Sequence, residues 1–370
     1  MEFTISKTAL QKELGFVQGT VEKKNTIPAL SNILIESVGE GTIRILGTDL
    51  DVTLRCETEA EIKTGGSMCV GARKLFEITR VLPDAPVNFR REENDWATVT
   101  CERSNFRIAG VDRESFPEVP SFKSAPVRLP ANIFKTLIDR TIFAITLEES
   151  RYTLSGAKFV LGKGGAKMVT TDGHRLAYIE RKDLGAAAPT QEIDALIPRK
   201  TLGELKKLAA DFEGEIGLGA DENHIYFEVG PRLLISRTLT GQFPNSEMVM
   251  PKGNDKKAEF DSASLGQAIR RVALMADDRS HAIRFHLTPG SLQISSQTAE
   301  EGEAREVVTT EYDGAETEIG FNASYLQDFL NVMDDGTVAF EFKDGNSQAE
   351  LRPVSDDGYE YKYIVMPMRL

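Results

Sequence analysis

The sequence predicts an α+β protein made of one structural unit repeated three times. Two observations predict it. Three sets of landmark segments recur in the same order, and within each repeat two helical stretches are set among alternating strand-like runs.

The first landmark is a short strand, a polar residue and a helix with a basic face. It occurs as FTISKTALQKEL from Phe3, VRLPANIFKTLI from Val127 and AEFDSASLGQAI from Ala258, with starts 124 and 131 residues apart. Apolar residues at helical spacing mark its inner face: Leu10, Leu14 and Val17; Ile133, Leu137 and Ile138; Leu265, Ile269 and Val272. The second landmark is VGARKLFEI from Val70, IPRKTLGEL from Ile197 and FNASYLQDF from Phe321, offset by 127 and 124 residues. Its helical faces are Leu75, Ile78 and Leu82, then Leu202, Leu205 and Leu208, then Leu326, Phe329 and Met333. The third closes each copy, as FPEVP (Phe116–Pro120), FPNSEMVMP (Phe243–Pro251) and YIVMP (Tyr363–Pro367).

The remaining runs alternate with period two, as in TIRILGTDLDVTLRCE, WATVTCE, HIYFEVG and TVAFEFK, with Gly, Asn and Asp between them. Each repeat is therefore two helices packed on antiparallel sheet. The polar stretches SFKSAP (Ser121–Pro126) and KGNDKK (Lys252–Lys257) read as linkers, placing the domains at 1–121, 122–252 and 253–370. The glycine run Gly162–Gly165 lacks the Lys-Ser/Thr of a phosphate loop and reads as a hairpin turn.

Charge is unevenly placed. The chain carries −13 overall, which argues against a nucleic-acid partner at face value. Six helix windows (7–14, 73–80, 132–140, 199–207, 265–271 and 324–333) together carry +8, leaving −21 elsewhere. Their cations include Lys7, Lys12, Arg73, Lys74, Arg80, Lys135, Arg140, Arg199, Lys200, Lys206, Lys207, Arg270 and Arg271. One basic helix is an ordinary solvated face; five of six in an acidic chain point to a common positive surface. Such a surface attracts duplex DNA whatever its sequence, through phosphate rather than base contacts.

Other classes fit less well. No apolar run is long enough for a membrane helix, the start MEFTISKTAL lacks a signal-peptide core, and Cys56, Cys69 and Cys101 make no CxxC, so a cytoplasmic protein with reduced, mostly buried thiols is expected. Asp172 and His174 raise the question of an enzyme, but His174, His224, His281 and His286 form no metal-ligand motif and no nucleophile stands beside a base. No catalytic residue, metal or cofactor is expected. A monomeric DNA-binding scaffold of the same three units is the remaining alternative.

The combination of GTDL (Gly47–Leu50), TDGHRLA (Thr171–Ala177), PRK (Pro198–Lys200), GAETEIGFN (Gly314–Asn322) and the terminal YIVMPMRL resembles the beta subunit of bacterial DNA polymerase III, the sliding clamp family, over the whole chain. The resemblance implies three clamp-type domains and a head-to-tail homodimer. The resulting six-domain ring has helices inside and sheets outside and encircles double-stranded DNA without sequence preference. It implies a non-enzymatic processivity factor for the replicative polymerase, which tethers that polymerase, the clamp loader and other replication and repair proteins through short peptides.

Carried over, the peptide pocket is Leu154, Thr171, Gly173, His174, Arg175, Leu176, Pro244, Met248, Val249, Ile364, Met366, Pro367, Met368, Arg369 and Leu370. Met, Leu, Val and Pro side chains suit an adaptable apolar groove, with His174 and Arg175 anchoring at its edge. Read alone, the terminal MPMRL would be an ordinary edge strand. DNA contacts carried over are Lys24, Arg73, Tyr152, Arg199 and Lys200. The implied dimer interface sets Phe106 against Leu274 and Met275, and Arg103 near Glu300, Glu301 and Glu303; read alone, Phe106 is a core residue of its own strand. The chain departs from the family at Thr153, where a second aromatic is frequent, and at Met248, where some clamps carry a basic residue.

Overall fold

A computed structural model describes residues 1–21, 28–121, 126–148, 150–185, 191–298, 302–355 and 357–369. The repeated landmarks become helices. The first landmark gives α1 (Lys7–Val17), α3 (Ala131–Asp139) and α6 (Ser262–Ala273); the second gives α2 (Ala72–Val81), α4 (Arg199–Ala209) and α7 (Ala323–Leu330). A short α5 (Ser246–Val249) lies within the FPNSEMVMP segment.

The polar residue ahead of the helix is its cap. Ser6 accepts from the Ala9 amide, Asp261 from Ser264, and Asn322 from Ser324 and Tyr325, each satisfying a donor the helix leaves open. In the central repeat Pro130 and Pro198 precede the helices instead, where their fixed φ suits a helix entry. The apolar faces are buried as expected, with two differences at helix ends. Leu82 is the C-cap of α2, and Met333 lies beyond α7, which stops at Leu330 before the Asp-Asp-Gly turn former.

The chain divides into two compact units, residues 1–135 with 200–238, and 136–199 with 239–370. In the first, thirteen strands form one sheet. There Arg232–Arg237 of the central repeat pairs antiparallel with Val52–Glu59 of the first, Arg232 opposite Cys56 and Leu234 opposite Leu54. In the second unit, an eight-stranded sheet pairs Arg175–Arg181 of the central repeat with Glu360–Val365 of the third, Ala177 opposite Tyr363. These two joints are the same joint made twice. Each continues in a matching backbone bond, Arg237 N to Asp51 O (2.8 Å) and Met366 N to His174 O (2.9 Å).

A four-stranded sheet completes the second unit, in the order Gly302–Thr309, Ser291–Thr298, Ala282–Thr288 and Thr317–Asn322. Among the strand edges left open, two lie on strands that match those of the joints. Gly302–Thr309 ends its sheet, and the strand Ser104–Val111 pairs along one side but uses only Gly110 and Val111 on the other.

The Thr-Asp turn also recurs. Asp49 Oδ1 accepts from the amides of Asp51 (3.0 Å) and Val52 (2.6 Å), and Asp172 Oδ1 from those of His174 (2.9 Å) and Arg175 (3.1 Å). Thr48 and Thr171 donate to the carbonyls of Val52 and Arg175. The turn requires a left-handed residue, filled by Gly173 (φ +90°) in one copy and by Leu50 (φ +81°) in the other. Gly162–Gly165 is the hairpin turn expected, with Gly162 opposite Gly165. All three cysteines are buried and free, and among the described residues no helix is long and apolar enough to cross a membrane.

Candidate functional site

The expected pocket residues fall on four segments of the second unit. The Thr-Asp turn presents Thr171, Gly173, His174 and Arg175, and the strand it opens carries Leu176 opposite Ile364. Leu176, Ile364 and Val169 form one buried cluster, covered by half-buried Tyr178, Phe243, Val249 and Met250. Val249 is thus brought onto Leu176 and Ile364 by α5, while Pro244 and Met248 on the same segment face solvent, Met248 at 79% exposure. Leu154 ends a short 3-10 turn (Tyr152–Leu154) whose neighbour Arg151 donates to the Asp172 carbonyl at 2.6 Å. The cluster makes an apolar floor beside exposed His174.

The terminal segment divides. Met366 binds the His174 carbonyl and stays with the groove. Met368 instead donates its amide to Gly320 O (2.8 Å), and with Arg369 lines a separate cavity of about 560 Å³ over the four-stranded sheet, beside Arg284, Gln293, Ser295 and Arg305. Pro367 is half-buried between them. Leu370 lies outside the described residues.

Arg175 is not a free anchor. Its side chain is 9% exposed, bonded to Asp172 (3.0 Å), Asp328 (2.7 Å) and the Phe143 carbonyl (2.7 Å), and its guanidinium stacks 4.4 Å above the Tyr325 ring. It is a fixed wall that holds the turn. Tyr325 also stacks against His174, with ring centroids 6.5 Å apart. Tyr325, Phe243, Met250 and Tyr178, none of them named from the sequence as pocket residues, stand among these segments. The FP landmark pointed at Phe243 and Met250; nothing local pointed at Tyr325, whose place depends on the third repeat reaching the second.

Of the expected DNA contacts, Arg73 is exposed and pairs with Glu77 at 2.8 Å, and Tyr152 is 53% exposed. Hydrogen bonds from Arg73 and Lys74 hold the Glu77 carboxyl below its usual range. Lys200 is exposed and ion-paired with Asp49. Arg199 is half-buried, donates to the carbonyls of Ile142 (2.9 Å) and Ile145 (3.1 Å), and is lowered from its ordinary pKa by that burial. Lys24 lies outside the described residues. Lys12, Lys74, Arg80, Lys206, Lys207, Arg270 and Arg271 are exposed.

Arg140 corrects the count of surface cations. It is 8% exposed, ion-paired with Asp357 (2.6 Å), and its guanidinium lies 5.5 and 5.4 Å from the rings of Tyr359 and Tyr361. It belongs to the interior joint, not to a helix surface.

At the expected interface, Arg103 is exposed and Phe106 half-buried on the open stretch of its strand, so it is not a core residue. Leu274, just past α6, is 78% exposed and Met275 is half-buried. Glu303 begins the other open edge, while Glu300 and Glu301 lie outside the described residues. Among the described residues no group of three or more His, Cys, Asp or Glu is placed to hold a metal ion.

The comparisons agree along the whole chain. Residues 1–120, 128–245 and 247–369 match the N-terminal, central and C-terminal domains of the DNA polymerase III beta subunit. The chain is 37% identical over 377 residues to the beta sliding clamp of Pseudomonas aeruginosa and 36% identical over 380 residues to that of Pseudomonas putida, covering 100% of both chains in each case. A crystal structure of the Pseudomonas aeruginosa DnaN sliding clamp bound to griselimycin aligns with a TM-score of 0.93 at 36% identity over 100% of both chains. The Caulobacter crescentus pol III beta structure aligns at 0.91 and 34% identity, also over 100% of both. Repeats, helices, joints and full-length likeness converge: the chain belongs to the beta sliding clamp family, the non-catalytic processivity subunit of DNA polymerase III.

Proposed function

We propose that two copies of this chain close head to tail into a ring around duplex DNA, and that the ring is completed by pairing the open edge of Ser104–Val111 in one copy with that of Gly302–Thr309 in the other. The repeated joint carries this reading. Ser104 and Arg232 each follow a two-residue hairpin loop, and Glu306 occupies the register position of Cys56. Making the joint a third time sets Ser104 opposite Glu306 of the partner subunit, Phe106 opposite Ala304 of the partner subunit, and Arg107 opposite Glu303 of the partner subunit. The last pair is of opposite charge, as cross-strand neighbours should be. A heterologous contact of this kind, closing after two chains, gives a six-domain ring.

The exposed cations on the helices supply the DNA-facing lining, with Arg73, Tyr152, Arg199, Lys200 and Lys24 among its contacts. The domain limits are 1–121, 122–252 and 253–370, and the protein works in the cytoplasm. The groove around Leu176, Ile364, Val249, His174 and Met366 takes short peptides of the replicative polymerase, the clamp loader and other partners. Two features support this: an apolar floor of Leu176, Ile364 and Val169 beside exposed His174, and flexible Met side chains at its border.

Retention on nicked circular DNA tests the ring. The protein should stay bound after loading and be lost when the circle is linearised. Equal retention on both forms would leave only electrostatic adhesion. Deleting Met366–Leu370 should abolish peptide binding and leave the dimer intact in sedimentation; unchanged peptide affinity would remove the groove assignment.

A further inference from the structure

The cations on the exposed helix faces are opposed by anions of the same chain. Arg73 and Lys74 share Glu77, Lys207 pairs with Glu204 at 2.8 Å, and Arg271 pairs with Glu306 at 2.6 Å. Pairs three or four residues apart on one helix are commonplace and weak. The Lys200–Asp49 pair is of another kind. Its partners come from different repeats, and the Asp49 side chain is only 7% exposed while Lys200 is 41% exposed.

Asp49 is a fixed anion. Its Oδ1 is engaged by the amides of Asp51 and Val52, so Oδ2 is held toward the Lys200 ammonium, which also reaches the Thr20 carbonyl at 3.3 Å. The turn does not need the lysine for its shape. The matching turn at Asp172 makes the same two backbone bonds with Ser324 of α7 in the place of Lys200, its own Oδ2 being met instead by Arg175 at 3.0 Å. The cation that meets the second carboxylate oxygen of the turn thus differs between the copies, and here it is one of those assigned to DNA.

We propose that Asp49 competes with DNA phosphate for Lys200, and so limits how firmly the ring grips the duplex. This rests on the DNA-encircling reading above. A cation already neutralised by a built-in carboxylate releases little counterion when a phosphate arrives, so it adds little to affinity or to salt dependence. Contact is kept weak enough to be broken and remade along the helix axis.

Asp49→Asn tests this, because the amide oxygen can keep the turn bonds while the charge is removed. Binding of the full-length protein to duplex DNA is measured across salt, beside retention on the nicked circle. The variant should steepen the salt dependence by ~0.9 in log–log slope, which amounts to about threefold in affinity between about 50 and about 200 mM salt. The gain should vanish in the Lys200→Gln background. An unchanged slope in folded, dimeric Asp49→Asn, or the same gain in Asp49→Asn/Lys200→Gln, overturns the proposal. If the variant does not fold, the wild-type protein decides. Reductive methylation of Lys200 should be slower than that of exposed Lys12 at low salt and should accelerate as salt rises; equal rates throughout overturn the pairing. Wild-type retention lost equally from nicked and linear DNA would refute the ring reading instead, and is scored separately.

Discussion

Glu13→Ala should destabilise the first unit by about 3 kcal/mol, toward the low end of the ~3–5 kcal/mol expected when one partner of a buried ion pair is removed. Glu13 on α1 and Arg232 on the joint strand are 6% and 10% exposed and are joined by two hydrogen bonds of 2.5 and 2.8 Å. The Arg232 guanidinium also lies 4.5 Å from the Phe16 ring, so deletion of Glu13 leaves a buried cation with an aromatic face but no counter-anion. For a unit of about 170 residues, each kcal/mol moves the melting temperature by about 2–4 °C, giving a fall of about 6–12 °C. Differential scanning calorimetry of the single variant and of Glu13→Leu/Arg232→Met reads it. The double variant should recover to within about 1.5 kcal/mol of the parent, since replacing both charges with apolar groups of similar size removes the stranded ion. A single variant that loses less than about 1 kcal/mol, or a double variant as unstable as the single, would refute the argument that the joint depends on pairing rather than on apolar packing.

Three further outcomes follow from the same geometry. Leu50→Gly should raise stability by about 0.5–1 kcal/mol, because Leu50 is held at φ +81° where the matching turn has glycine; a lower melting temperature would show that its exposed side chain contributes more than the strain costs. Glu350 is 9% exposed and burial raises its carboxyl pKa, so the fold binds its proton more tightly than the unfolded chain does. Its contribution is fully present below the ordinary value near 4.5 and is lost as pH rises through the folded value, so Glu350→Gln should be more stable than the parent at neutral pH and lose that advantage toward pH ~4 in thermal melts. Phe106→Glu should halve the mass seen in sedimentation while leaving the circular dichroism spectrum folded, because the charge falls on the edge proposed to pair with the second copy; a persistent dimer would place the interface elsewhere.

The parts of the fold set by local pattern were legible. The Ser6, Asp261 and Asn322 caps and the apolar faces behind them locate helices because capping and 3.6-residue periodicity act over a few residues. The recurrence of three landmarks located the repeats for the same reason. Strand partnership was not legible. That Arg232–Arg237 adds to Val52–Glu59, or Glu360–Val365 to Arg175–Arg181, depends on contacts well over a hundred residues apart in the chain, and no local pattern encodes them.

The same blindness misplaced side chains. A charge window counts Arg140 and Arg199 as surface cations, whereas the carbonyls, rings and carboxylates that draw them inward arrive from distant segments. Tyr325 escaped notice in the groove because it stands beside His174 only once the third repeat has joined the second. Phe106 reads as an ordinary inward strand residue until its unpaired edge is seen.

The repeated joint has a mechanical consequence. Inside one chain its strands are held together at the high effective concentration that a covalent connection imposes, so a broken joint re-forms before its partners diffuse apart. Between copies the same backbone ladder has no connection and depends on protein concentration. In the ring we propose, dilution is therefore expected to part Ser104–Val111 from Gly302–Thr309 of the other copy while the internal ladders hold.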